Sequence, residues 1–220
     1  MNIAIDGPSG AGKSSLAKAI AKQLGIIYVD TGALYRTIGL YMKKNGIDPK
    51  DTEGVTAALP RIDLRLAFSE GAQHIYLCGE DVGDSIRTPE MSLYASAVSA
   101  IGAVRAFLLE TQRKVARESS VVMDGRDIGT VILPDADCKI FLTASPEARA
   151  RRRTAELLEK GMSATYEEVL ADMILRDRND STRAIAPAVP AEDAVFLDNS
   201  DMSAEETIAA AIEIIKNSKK

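Results

Sequence analysis

The stretch Gly7-Pro8-Ser9-Gly10-Ala11-Gly12-Lys13-Ser14, with Ser15 after it, does most to restrict how this chain can fold. Its three glycines let the backbone turn tightly and point its N–H groups inward, making a concave nest for the oxygens of an anion. Lys13 adds a full positive charge, and the Ser14 hydroxyl is a hard oxygen suited to Mg²⁺. The spacing is that of a phosphate-binding loop, which sits between a strand and the N-terminus of a helix. Both flanks fit. Asn2-Ile3-Ala4-Ile5-Asp6 is a short apolar run of strand type, and Ser15 to Leu24 carries apolar residues at helical spacing before a stop at Gly25. A glycine-rich turn that matched by accident would need neither flank.

The rest of the chain has to cover that unit. Its 220 residues suit one domain, 1–220, with room for a small insertion, and 46% hydrophobic residues supply a sizeable core. A net charge of −5 gives no overall positive field, so sequence-independent binding of nucleic acid is not expected. Cys78 and Cys138 stand far apart with no C-x-x-C partner, which reads as buried or idle thiols in a reducing cytoplasm. His74 is the only histidine, so triad or histidine acid–base chemistry has little to draw on. No segment approaches the roughly 18 apolar residues of a membrane span. The chain enters a core strand almost at once, and the expected location is the cytoplasm.

Short apolar runs alternate with helical patterns in the manner of a parallel sheet flanked by helices. After the first helix come a run at Ile26-Ile27-Tyr28-Val29 and a helix from Ala33 to Asn45. From Arg61 to Phe68 polar and apolar residues alternate, a Ser69-Glu70-Gly71 turn follows, and His74 to Val82 continues in the same style. Residues 61–88 therefore read as an antiparallel β insertion, too short to fold alone. Glu90 to Glu118 is helical with a break near Ile101-Gly102. Sheet strands are expected at Ser120–Asp124, Lys139–Leu142 and Val195–Asp198. Helices are expected from Ser145-Pro146-Glu147 to Lys160, from Thr165 to Asn179, and from the capping box at Ser203–Glu206 into the Asn217-Ser218-Lys219-Lys220 end.

Four more stretches carry chemistry. Asp30-Thr31-Gly32-Ala33-Leu34-Tyr35-Arg36 follows the second strand, where ligands of doubly wound sheets bind. Thr31 is a candidate cap for the next helix and Arg36 lies about one turn further in; a plain helix cap with an exposed arginine is the alternative. Asp124-Gly125-Arg126-Asp127-Ile128-Gly129 also follows a strand, and Asp124 is a candidate to orient Mg²⁺ through water. Arg149, Arg151, Arg152 and Arg153 crowd one helix, with a solvated face as the simple account. Arg176-Asp177-Arg178-Asn179-Asp180-Ser181-Thr182-Arg183 is the last. Arginines facing a phosphate loop neutralise charge on a transferring phosphoryl group. The two clusters flank Gly161-Met162-Ser163, so residues 149–183 look like a hinged lid.

With these residues in view, the chain resembles the bacterial cytidylate kinases (CMP/dCMP kinases), a branch of the nucleoside monophosphate kinases, from Asn2 to about Glu206. The likeness is carried by Ile5 to Ser14, Asp30 to Arg36, Gly79-Glu80-Asp81-Val82 with Ile86-Arg87-Thr88, Asp124 to Val131, and Arg176-Asp177-Arg178 followed by Asp180 to Arg183 and Ala186-Pro187. The phosphate loop is shared by many families; the Asp124 and Arg176 blocks are far more specific. The resemblance implies a P-loop kinase fold with a parallel five-stranded sheet, a mobile lid and a small antiparallel sheet enlarging the monophosphate-binding region. It implies ATP as donor, held by Gly7, Pro8, Ser9, Gly10, Ala11, Gly12, Lys13, Ser14 and Ser15, with Mg²⁺ reached by Ser14 through the nucleotide. Thr31, Arg105, Arg126, Asp127 and Arg176 are implied to surround the base or phosphate of CMP. Asp180 is implied at the sugar, and Arg36 and Arg183 on the phosphate or base side. In many relatives a serine stands at Thr31; threonine keeps the hydroxyl and adds a methyl. Arg153, ahead of Arg149 or Arg152, is implied at the donor phosphates.

The reaction implied needs no general base, because the attacking oxygen of CMP is already ionised at neutral pH; Lys13, Arg153, Arg176 and Arg183 would neutralise charge as the phosphoryl group moves. A monomer acting on CMP and dCMP, with neither nucleic acid nor membrane as partner, is the expected state. Two rivals are a P-loop kinase for another small acceptor such as UMP and a non-enzymatic nucleotide switch. A guanine-specific switch would carry an N-K-x-D motif, which the chain lacks.

Overall fold

The computed structural model describes residues 1–69 and 71–218. Its elements, in chain order, are β1 (Asn2–Asp6), α1 (Lys13–Leu24), β2 (Ile27–Asp30), α2 (Thr31–Lys44), α3 (Thr52–Ala58), β3 (Leu64–Ser69), β4 (Ala72–Leu77), β5 (Glu80–Asp81), α4 (Pro89–Ser99), α5 (Gly102–Glu118), β6 (Val121–Gly125), β7 (Cys138–Thr143), α6 (Pro146–Glu159), α7 (Tyr166–Thr182), β8 (Val195–Asp198) and α8 (Ala204–Asn217). The strands form a five-stranded parallel sheet of order β2-β6-β1-β7-β8 and a three-stranded antiparallel sheet of order β3-β4-β5. By internal contacts the chain divides into two compact units, one made of Met1–Ile26 with the residues from Val122 onward, the other of Ile27–Val121.

In the first unit, β1 and β7 pair in parallel register, Ile3 opposite Cys138 and Ile5 opposite Ile140. Strands buried on both faces need continuous apolar runs, and Ile3, Ala4, Ile5, Val122, Met123, Ile140 and Leu142 supply them. Helix α1 buries Leu16, Ala17, Ile20 and Ala21 along one stripe and ends where Gly25 turns left-handed at φ 65°, its N–H donating to Ala21 O. Gly7 leaves β1 at φ 145°, and a Cβ there would lie 1.9 Å from Leu142 O, so no other residue lets the loop cross β7 at this point. Helix α8 opens on the expected capping box, with Ser203 and Glu206 bonding each other's backbone N–H.

The second unit has its own core, in which Leu34, Ile38, Met42, Val55, Ile75, Leu77, Ile86, Met91 and Leu108 are buried. Strands β3 and β4 pair antiparallel from Leu64 opposite Leu77 to Ser69 opposite Ala72, which places the alternating stretch in a hairpin. Within the expected Ser69-Glu70-Gly71 turn, Glu70 lies outside the described residues, as do Lys219 and Lys220 at the end of the chain.

Several boundaries differ from expectation for local reasons. Helix α2 starts at Thr31, not Ala33, because the Asp30 carboxylate accepts from Ala33 N–H; Asp30 is the cap and Thr31 is not. Helix α7 runs three residues past Asn179, to Thr182. Helix α3, capped by Asp51, was not expected from a segment holding glycine and two threonines. A single π turn over Ile128–Ile132 follows β6, where a simple strand-terminating turn was an alternative.

Candidate active site

In the first unit the phosphate loop is built around a buried lysine. Lys13 opens α1, is 6% exposed, and donates from Nζ to Pro8 O at 2.6 Å. Burial pushes its pKa well below the ordinary lysine value, and the neighbouring Arg126 charge pushes the same way, with Arg176 adding to it; Asp124 and Asp6 oppose them. Asp124 and Arg126 from one stretch and Arg176 from another are thus all within electrostatic reach of Lys13. Ser14 Oγ donates to Asp124 Oδ2 at 2.8 Å, joining the first helical turn to the end of β6.

Asp6, the last residue of β1, has a role that its sequence context did not reveal. Its Oδ1 accepts from Ile128 N–H at 2.8 Å and its Oδ2 from Gly129 N–H at 2.7 Å. These bonds pin the π turn beside the loop's first glycine. Burial raises the Asp6 pKa to about 6 against the lowering effect of both bonds. The signal available in the sequence was an acid ending an otherwise apolar strand.

The arginine-rich helix divides by partner. Arg149 is 2% exposed, and its guanidinium donates to Ser9 O at 2.8 Å, Ala144 O at 2.9 Å and Asp177 Oδ2 at 2.5 Å. It fastens the phosphate loop to α6 and α7. Arg152 donates to Asn199 O at 2.5 Å, and Asn199 Nδ2 donates in turn to Ala11 O at 3.1 Å, so the loop is held from a second side. Arg153, 39% exposed, pairs only one turn away with Glu156 at 2.8 Å. Of the three, Arg153 is the one whose charge is not committed to scaffold carbonyls. A cavity of about 450 Å³, lined in part by Pro8, Ser145, Arg149, Asp177 and Asp180, opens beside the loop.

The Arg176–Arg183 block lies at the end of α7. Arg126 Nε donates to Asp180 Oδ2 at 3.0 Å, so two expected substrate residues hold each other. Arg183 follows α7, donates from Nε to Ala186 O at 2.6 Å and lies 4.0 Å from Asp180. Asp127 is buried directly before the π turn.

The second unit holds Thr31, Arg36 and Arg105. Thr31 is buried in the first turn of α2. Arg36 pairs with Asp30 at 2.8 Å, and its Nε is buried without a hydrogen-bond partner among the described residues. A buried unpaired guanidinium N–H is a donor awaiting an acceptor, and an anion supplies one. Arg105 donates to Ser99 O at 3.0 Å and lies over the Tyr35 ring at 5.5 Å. Among the described residues, no group of three or more His, Cys, Asp or Glu is placed to hold a metal ion, and no single helix is long and apolar enough to cross a membrane.

Comparisons with known proteins agree in kind. A model of the cytidylate kinase family matches residues 3–217. A cytidylate kinase of Caldicellulosiruptor bescii is 48% identical over 214 residues, covering 97% of this chain and 95% of the relative. One of Thermosipho melanesiensis is 47% identical, covering 97% and 96%. A solved structure of an uncharacterized protein from Eubacterium ventriosum superposes with a TM-score of 0.55 at 13% identity, covering 98% of each chain, which speaks for the fold alone.

Proposed function

This chain belongs to the cytidylate kinase family, and from that membership we propose that it transfers the γ-phosphoryl group of ATP to CMP or dCMP, giving ADP and CDP or dCDP. The observation that carries the reading is a likeness of 47–48% spread over 97% of the chain, and not confined to the phosphate loop. Gly7 to Ser15 bind the donor phosphates through backbone N–H groups, and Lys13 places its charge among the β/γ oxygens. Arg36, Arg105, Thr31, Arg126, Asp127 and Arg176 receive the acceptor's base and phosphate, and Asp180 its sugar. Arg183 serves the acceptor's phosphate or base side.

The donor set at Ser14 and Asp124 suits Mg²⁺: a hydroxyl and a buried carboxylate 2.8 Å apart are hard oxygens, and too few to bind the ion without the nucleotide's own. When bound, Mg²⁺ neutralises charge on the phosphate oxygens. The protein does the rest by alignment. The acceptor phosphate oxygen arrives ionised, so no side chain has to take a proton from it, and a chain with one histidine suffices. Arg153, Arg176 and Arg183 offset the charge that spreads over the moving phosphoryl group. Residues 149–183 act as a lid that keeps water from taking the acceptor's place, and 61–88 enlarge the monophosphate-binding region.

Incubation with ATP, Mg²⁺ and CMP, followed by chromatographic separation, is expected to yield ADP and CDP in equal amounts. ADP without CDP, or binding without turnover, would favour a nucleotide switch.

A further inference from the structure

The second unit carries a contact that the proposed reaction does not use. Gln73, on β4, reaches the end of β2 and takes both main-chain polar groups of Asp30. Its Oε1 accepts from Asp30 N–H at 2.9 Å, and its Nε2 donates to Asp30 O at 3.2 Å. Only one orientation of the amide satisfies a donor and an acceptor at once, so the pairing fixes the side chain as well as the backbone it grips. Asp30 is in turn fully employed. Its Oδ1 caps α2 through Ala33 N–H at 2.9 Å, and its Oδ2 holds Arg36 at 2.8 Å. Gly32 leaves space for this pair, since a Cβ there would stand 3.2 Å from the Arg36 guanidinium and 3.3 Å from Asp30 Oδ1.

We propose that Gln73 is a positioning residue for the acceptor phosphate, setting Arg36 through the backbone and carboxylate of Asp30. The small antiparallel sheet thereby acts on the reaction without touching substrate. Without the amide, the Asp30 peptide loses two bonds at the point where a strand becomes a helix, and the carboxylate that aims Arg36 swings with it. The buried Nε of Arg36, which has no hydrogen-bond partner among the described residues, then no longer points in one direction. The proposal rests on the reading of Arg36 as an acceptor-phosphate contact.

The test compares Gln73→Leu, which keeps the bulk and removes both polar atoms, with Arg36→Ala and the double variant, using CMP and ATP as varied substrates. Loss of two ordinary hydrogen bonds is expected to raise KM for CMP about tenfold in Gln73→Leu. KM for ATP and kcat should stay within about twofold. In the Arg36→Ala background the same change should add almost nothing, since both act through one group. Equal rises in KM for CMP in both backgrounds, or equal shifts for CMP and ATP, would overturn the proposal. So would an unchanged KM for CMP in Gln73→Leu beside a raised one in Arg36→Ala, which leaves the acceptor reading standing. An unchanged KM in Arg36→Ala overturns both. Circular dichroism on each variant verifies that these comparisons concern folded protein.

Discussion

Two buried charges at the root of the phosphate loop make the sharpest statements at the scale of single residues. Lys13 sits where burial and two arginines work against its charge, and a bound triphosphate reverses that balance. ATP binding therefore favours the protonated form of Lys13. Affinity should fall as pH rises through the lowered pKa of the free enzyme, earlier than an ordinary lysine would allow; KM for ATP between pH 7 and pH 10 measures it. Lys13→Ala should cost orders of magnitude in kcat/KM with the circular dichroism spectrum intact, and retained activity would remove Lys13 from the mechanism. Asp6 is the opposite case. Its folded pKa of about 6 lies above the unfolded value of 3.8, so the folded state holds a proton more tightly between those limits. Asp6 thus favours folding less as pH rises, by about 3 kcal/mol across that window. Urea unfolding at pH 4 and pH 7 should show wild type losing most of that, about 2 kcal/mol, relative to Asp6→Asn, and parallel pH curves would contradict it. Lys13 was legible from the motif; Asp6 was not, because the two N–H donors to its carboxylate come from backbone 122 and 123 positions away.

At the scale of elements, α6 shows why a run of arginines cannot be sorted by composition. Arg149, Arg152 and Arg153 look alike in sequence, yet one is sealed against Ser9 and Asp177, one grips Asn199, and one reaches solvent. Helical periodicity says which residues share a face, while the identity of what packs there depends on chain that folds back from elsewhere. Removing one partner of a buried ion pair costs about 3–5 kcal/mol. Arg149→Ala should therefore lower the melting temperature by about 10 °C and activity with it. Arg153→Ala should leave the melting temperature within about 1 °C, since an exposed pair contributes little, while lowering kcat. Differential scanning calorimetry beside steady-state rates separates the two, and equal thermal losses would show that Arg153 is scaffold. The same limit explains the boundary at Asp30: a short acid before Thr31-Gly32 reads as a strand end, and only the bond to Ala33 N–H makes it the cap.

For the molecule as a whole, the fold was readable because the strands of the parallel sheet are short, mainly apolar runs, with Lys139 inside β7, whereas the stretch leading into and through β3 carries polar residues between apolar ones. Period and run length decide between the two kinds of sheet, and they need no knowledge of tertiary contacts. What the pattern did not reveal is the partition into two units, with the Thr31–Arg36 and Gln73 group in one and the phosphate loop with α6 and α7 in the other. That partition depends on which packed surfaces are continuous, a property of the folded chain. The chemistry was readable for a different reason. A phosphate loop specifies its ligand by backbone geometry, and glycine spacing encodes geometry directly. In the proposed function, acceptor identity is assigned to single side chains such as Thr31, Asp127 and Arg105, on the ground of membership in a family and not of spacing.

The choice of acceptor is what sets this chain's proposed activity apart from that of other phosphate-loop kinases. Release of ADP measured across CMP, dCMP, UMP and AMP at fixed ATP and Mg²⁺ tests it most directly. kcat/KM for CMP or dCMP should be at least tenfold above that for UMP and AMP; equal or better turnover of UMP or AMP would overturn the assignment of the acceptor.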